Sequence, residues 1–250
     1  MGTDMKIGRA FSYAFQSPQG TAKMLRGGLY TALVFTVFLP FAAAGFLVRL
    51  MCALLEGRDT NLPEWRNLRE LFEDGLQPVL IALAYAAPVI LLSILQQYLN
   101  SAAVSVLQVL CAAVVSLLLP LGLIHFLTTR RFTAAFDLRI STSFILQNPK
   151  RVLIAWSMSI LLHAAALLVS TGTWLGSALL VSLTASRIAG ISTGLILGSL
   201  VFAFTDFIVT VISSHLYAQA YRGSKPFTDD TEGEARASIV LPPTLRKRAM

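Results

Sequence analysis

Asp206 is a carboxylic acid inside an apolar run, 190–221, and His163 is an imidazole inside the run before it, 152–170. Such a pair in hydrocarbon can hold a proton between them or receive a cation. An ionised carboxylate in lipid is expensive, so it faces a bundle interior or a water-filled cavity. Counted from the polar ends of their runs, Asp206 lies roughly 20 Å deep and His163 roughly 18 Å from the same side, at about 1.5 Å per residue. Two arrangements fit. The residues are hydrogen-bonding neighbours near mid-membrane, or each is satisfied separately, Asp206 by its own proton or by a nearby Ser or Thr. One acid and one base fall short of the chains of ionisable groups that relay protons in pumps.

The helix that must position Asp206 carries Gly190, Gly194 and Gly198 every four residues, ended by Phe202. Small residues at this spacing let a second helix approach closely. Ser192, Ser199, Ala203, Asp206, Thr210 and Ser213 share another face, at steps of three, four and seven. That small, polar face is expected to meet protein rather than lipid, either within the chain or on a membrane-protein partner or second copy.

The chain of 250 residues is 55% hydrophobic and 13% charged, with a mean hydropathy of +0.68. Soluble domains carry roughly 25% charge, which leaves this chain too little polar surface to cover a water-soluble globule. Several apolar runs reach the roughly 18–20 residues that cross a bilayer. The expected fold is all-α: a transmembrane bundle of about six membrane segments with amphipathic interfacial helices. The net charge of +7 does not point to nucleic acid, because the basic residues cluster at the ends of apolar runs. Cys52 and Cys111 sit in apolar runs without Cys-x-x-Cys spacing and read as buried hydrophobes. Neither a catalytic motif nor a phosphate loop is found, so no enzyme, cofactor or metal is expected.

Along the chain, 1–19 reads as an interfacial helix ending near Ser17-Pro18. Ala42-Ala43-Ala44 resembles a cleavage site, but cleavage there would strand the apolar piece behind it, so no leader is expected. The run 22–55 is broken by Pro40 and is expected to form two short segments, a hairpin, full or re-entrant. With that hairpin, 18 of the 20 Lys and Arg fall on one side, which the positive-inside rule makes cytoplasmic, together with both termini. Arg49, inside the second segment, reads as an anchor that snorkels to the surface. The connector 61–75, with Pro63, Glu64 and Trp65 as its interfacial residues, is expected to be an amphipathic helix starting at Pro63 with Trp65 at headgroup level, either a solvated connector or a docking surface for a partner. Arg66 with Glu70 and Arg69 with Glu73 make i,i+4 pairs on it. Residues 171–189 are expected on the far side as a short helix or partial re-entry. Phe15-Gln16-Ser17-Pro18 and Leu146-Gln147-Asn148-Pro149 echo each other, as a repeat or merely as a common way into a span. The organisation is one transmembrane domain, 1–221, and a polar tail, 222–250, expected to be disordered.

Leu62-Pro63-Glu64-Trp65, Glu70-Leu71-Phe72 and Asp74-Gly75-Leu76 carry a resemblance, with Ile7-Gly8-Arg9-Ala10-Phe11, Asn148-Pro149 and Ser214-His215-Leu216-Tyr217. These pieces resemble the signature of an uncharacterised family of prokaryotic polytopic membrane proteins, domain of unknown function 4013. The resemblance spans about 6–221. It implies an address in a prokaryotic inner membrane and no known activity, and it brings no functional residues.

The first functional expectation is a non-enzymatic scaffold or accessory subunit, resting on the small-residue faces and surface helices. The alternative is a transporter of a small solute, lipid or ion that uses Asp206 and His163.

Overall fold

The computed structural model describes residues 5–16, 19–32, 38–58, 62–184 and 186–223. The tail from 224 onward and Ser17-Pro18 lie outside them. Among the described residues the fold is all-helical, with no strand. The helices are α1 (Ile7–Gln16), α2 (Gly20–Ala32), α3 (Phe38–Leu55), α4 (Leu68–Leu99), α5 (Ala102–Thr129), α6 (Leu138–Gln147), α7 (Pro149–Thr184) and α8 (Arg187–Arg222). A short 3-10 helix, Phe132–Phe136, precedes α6.

Four helices, α4, α5, α7 and α8, are long and apolar enough to cross a membrane. The chain is therefore a membrane-embedded helix bundle. Of the roughly six segments expected, α2 has 13 residues and α3 has 18, both under the roughly 20 of a full crossing. The four long helices run alternately up and down. The start of α4, the end of α5, the start of α7 and the end of α8 thus share one end of the bundle. α1 lies there too, with the Lys6 amide donating to Gln219 Oε1 of α8 at 2.9 Å. The residue core gathers at this end, where Tyr13, Phe46, Leu50, Ile124, Phe144 and Leu216 are buried.

Pro40 does not break the hairpin. α2 ends at Ala32, and Pro40 is the third residue of α3. A proline in the first turn lacks an N–H that has no helical partner anyway, and its fixed φ suits a helix start.

The connector is not a helix at Pro63. Residues 62–67 are non-helical, Asn67 takes a left-handed conformation with φ 55°, and α4 begins only at Leu68. The cause is Trp65. Its ring stacks on Phe46 with centroids 4.2 Å apart, its edge meets Tyr30, and Nε1 donates to the Lys23 carbonyl at 3.1 Å. Those aromatic contacts hold the segment across α2 and α3. Arg66 then pairs with Glu64 at 2.6 Å rather than with Glu70, while Arg69 and Glu73 pair at 3.2 Å as expected.

Glu70 and Asp74 serve another cation. α3 and α4 cross so closely that a side chain on Gly45 would strike the Leu71 carbonyl, and one on Gly75 the Phe41 carbonyl. Beside this crossing Arg49 is buried, 5% exposed, with Nε 2.8 Å from Asp74 Oδ2 and Nη2 3.3 Å from Glu70 Oε2. Arg49 is an internal ion-pair partner and not a snorkelling anchor, because two carboxylates one turn apart replace the water it would otherwise seek.

Residues 171–189 are no separate element. They are the end of α7 and the beginning of α8, joined at Ser186, whose side chain accepts from the Ala189 amide at 3.2 Å. The stretch 171–184 contains no proline, so helix α7 continues to Thr184.

Candidate functional site

The glycine row of α8 is used inside the chain. Gly190, Gly194 and Gly198 are buried. A Cβ on Gly194 would lie 2.8 Å from Ala178 Cβ and from the Trp174 carbonyl oxygen, and one on Gly198 would lie 2.8 Å from Trp174 Cβ. The Ser170 hydroxyl, on α7, donates to the Gly198 carbonyl at 2.7 Å. The missing side chains let α7 and α8 touch along their far halves.

The small polar face divides between two hollows. Ser199 and buried Ala203 line one of about 550 Å³ that also holds Thr31 of α2. Asp206, Thr210 and Ser213 line a larger cleft of about 670 Å³ between α5, α7 and α8. Phe202 forms part of both walls.

In the larger cleft α5 supplies Ser116, Leu119, Pro120 and Leu123, and α3 adds Met51. α7 supplies Trp156, Ser159, Ile160, His163, Ala164 and Leu167, a repeat of three and four that keeps one face inward. A ladder of polar contacts runs up this otherwise apolar space. Trp156 Nε1 donates across to Ser116 Oγ at 3.0 Å, bridging α7 and α5. The Ser159 hydroxyl donates to Ser213 Oγ at 3.0 Å, bridging α7 and α8. One turn further, His163 Nε2 faces Asp206 Oδ1 at 3.7 Å. Thr210 turns its hydroxyl to the Asp206 carbonyl at 2.8 Å.

The histidine's tautomer follows from its partners. His163 Nδ1 lies 2.7 Å from the Ser159 carbonyl oxygen, which can only accept, so Nδ1 carries a hydrogen. In the neutral ring Nε2 then presents a lone pair toward the carboxyl of Asp206. At 3.7 Å the two groups are too far apart for a direct hydrogen bond. Both side chains are partly open, 43% for His163 and 32% for Asp206.

Ser159, His163 and Asp206 are the residue types of a hydrolytic triad, but their order is wrong. A triad histidine turns its N–H to the aspartate and its bare nitrogen to the serine. Here the N–H is bound to the Ser159 backbone, and the bare nitrogen faces Asp206. Among the described residues no three His, Cys, Asp or Glu gather as a metal ion would need.

A third hollow, about 310 Å³, lies between α2 and residues 62–67. Lys23, Arg26, Glu64, Trp65 and Arg66 line it. Lys23 Nζ donates to the Leu62 carbonyl at 2.7 Å, and burial lowers its pKa below the usual ammonium range, with Glu64 pulling it back up. Pro63, Glu64 and Trp65 thus contribute to a folded corner. The other histidines are structural: His125 Nδ1 lies 2.8 Å from the Ala134 carbonyl, and His215 is buried beside Gln219 and the Tyr13 ring.

Sequence reasoning missed Ser116, Trp156 and Ser159. The Ser159–His163 spacing of four was a usable signal. Ser116 lies 40 residues before its partner, and nothing local marks it.

No curated protein and no solved structure matches this chain. The family model described as protein of unknown function (DUF4013) matches residues 29–181. That match takes in α3 to α6 and nearly all of α7, so it includes His163 and stops short of Asp206. Covering more than half of the 250 residues, it makes this chain a member of the DUF4013 family.

Proposed function

We propose that this protein binds a small amphipathic molecule from the bilayer in the cleft between α5, α7 and α8 and passes it across the membrane. One observation carries the reading: a partly open acid–base pair, His163 and Asp206, stands in a cleft whose mouth is apolar. Ile160, Leu167 and Phe202 are 42%, 56% and 40% exposed around it, mid-helix, where lipid is the solvent. A polar pair left facing hydrocarbon is costly, so a ligand with a polar head and an apolar tail suits the site.

The scaffold reading drew its support from the small-residue row, and α7 occupies that row within the chain. The non-enzymatic part of the reading is supported by the reversed order of Ser159, His163 and Asp206. The positive-inside rule supports a cytoplasmic location for the charged end and both termini, in a prokaryotic inner membrane.

The test is mass spectrometry of amphiphiles co-purified in mild detergent. Wild type should enrich one species over the bulk lipid extract, and Ala164→Trp, which fills the cleft mouth, should lose it. Equal content in both proteins would sink the reading. A stoichiometric membrane protein in place of the small molecule would restore the scaffold.

A further inference from the structure

We propose that the amphiphile carries a positive charge and enters in exchange for the proton held by His163 and Asp206. The inference rests on the amphiphile-binding reading above and names the class of ligand and its coupling. Three observations carry it.

The first is charge. Among the described residues lining the cleft, Asp206 is the one carboxyl group, and there is no Lys or Arg. An anionic head would find no fixed counter-charge there, and a cationic head finds Asp206. The second is shape. Trp156, Phe202 and Tyr217 offer aromatic rings around the same space, and ring faces attract ammonium groups. The third is the proton count. With Nδ1 committed to the Ser159 carbonyl, Nε2 and Oδ1 face each other and offer one place for a proton between them. A cation beside Asp206 supplies the same positive charge and takes the proton's place.

The exchange balances. One ammonium enters, one proton leaves to water, and the net charge of the cleft is unchanged. The titratable groups lining the cleft are His163 on α7 and Asp206 and Tyr217 on α8; the lining residues of α3 and α5 include none. The 3.7 Å gap is consistent with a pair that does not lock itself shut with a direct hydrogen bond.

The experiment uses the full chain in phosphatidylcholine nanodiscs, titrated by calorimetry with dodecyltrimethylammonium, dodecyl sulfate and dodecyl maltoside. A pH indicator in weak buffer reads proton release in the same titrations. The cation should bind tightest and release about one proton per site at a pH where the empty pair is loaded. Asp206→Asn should weaken the cation roughly tenfold or more and remove the release, and an unchanged thermal unfolding midpoint certifies its fold. Asp206→Glu should recover both signals. The inference fails if cation and maltoside bind alike, if dodecyl sulfate binds best, or if the cation binds without releasing a proton. If all three probes bind Ala164→Trp as they bind wild type, the cleft is not the site, and the amphiphile reading falls with it.

Discussion

The two halves of α8 are held in different ways. From Ala203 to Ala220 the helix buries eleven residues, among them Phe207, Val211, His215, Leu216 and Tyr217, against α1, α2, α3 and α7. From Arg187 to Phe202 it buries three, all of them glycine, against α7. At the charged end, where the chain meets water, large side chains and a buried ion pair make the core. At the far end Leu175, Leu179, Leu180 and Leu183 of α7 and Ile188 and Ile196 of α8 point outward, each more than half exposed. Lipid tails are as apolar as leucine, so burying these residues against protein gains little. Close backbone approach and a Ser170 hydrogen bond do the holding instead. One helix is thus packed by what its residues have at one end, and by what they lack at the other.

The largest break in this contrast should come at Arg49. Arg49→Ala leaves Asp74 and Glu70 facing each other without their cation and should cost about 3 kcal/mol or more. Thermal unfolding in mild detergent, followed by size exclusion, measures it. Replacing all three by Met, Leu and Gln should recover most of the loss, because the missing cation rather than the missing volume is what destabilises. Next is Gly194→Leu, which drives a side chain into Trp174 and Ala178. It should cost about 1–3 kcal/mol. Hydrogen exchange should then quicken along 170–200 while the Ala203–Ala220 half stays protected; uniform loss of protection would merge the two halves into one unit. Smaller still, Ser170→Ala removes one intramembrane hydrogen bond and should cost about 0.6 kcal/mol. The least disturbing test changes no packing. Cysteines at Arg66 and Arg131, labelled from one side of sealed vesicles, should react together, and one at Arg187 should react from the other. Opposite sides for the first two would undo the up-and-down order of the long helices.

Residue patterns reveal the far half better than the near half. The period of four in Gly190, Gly194 and Gly198 is a local signal, and a close helix contact follows from it. What it does not say is whose helix comes close, and α7 of the same chain proves to be the partner. At the charged end the decisive contacts join distant residues. Trp65 meets Phe46, Arg49 meets Asp74 25 residues on, and Trp156 meets Ser116 40 residues back. Local pairing rules instead gave Arg66 to Glu70 and set Arg49 snorkelling. Pro40 misled for another reason: a proline suits both the break in an apolar run and the first turn of the next helix, and composition alone does not choose. In the cleft, the matching depths of His163 and Asp206 were readable by counting residues. The serine and tryptophan ladder beneath them was not, because it depends on which faces of three helices meet.

α7 and α8 have 36 residues each. A hairpin of that length measures about 54 Å at roughly 1.5 Å per residue, against a hydrocarbon layer about 30 Å thick. Leaning by about 40°, the steep end of what membrane helices show, it reaches about 41 Å along the bilayer normal. Its tip carries Ser182, Ser186 and Arg187, and its foot Lys150, Arg151 and Arg222, so both ends suit water. A leaning hairpin therefore fills the roughly 40–45 Å between the two headgroup surfaces, with its charged foot and its serine and arginine tip both at the water line.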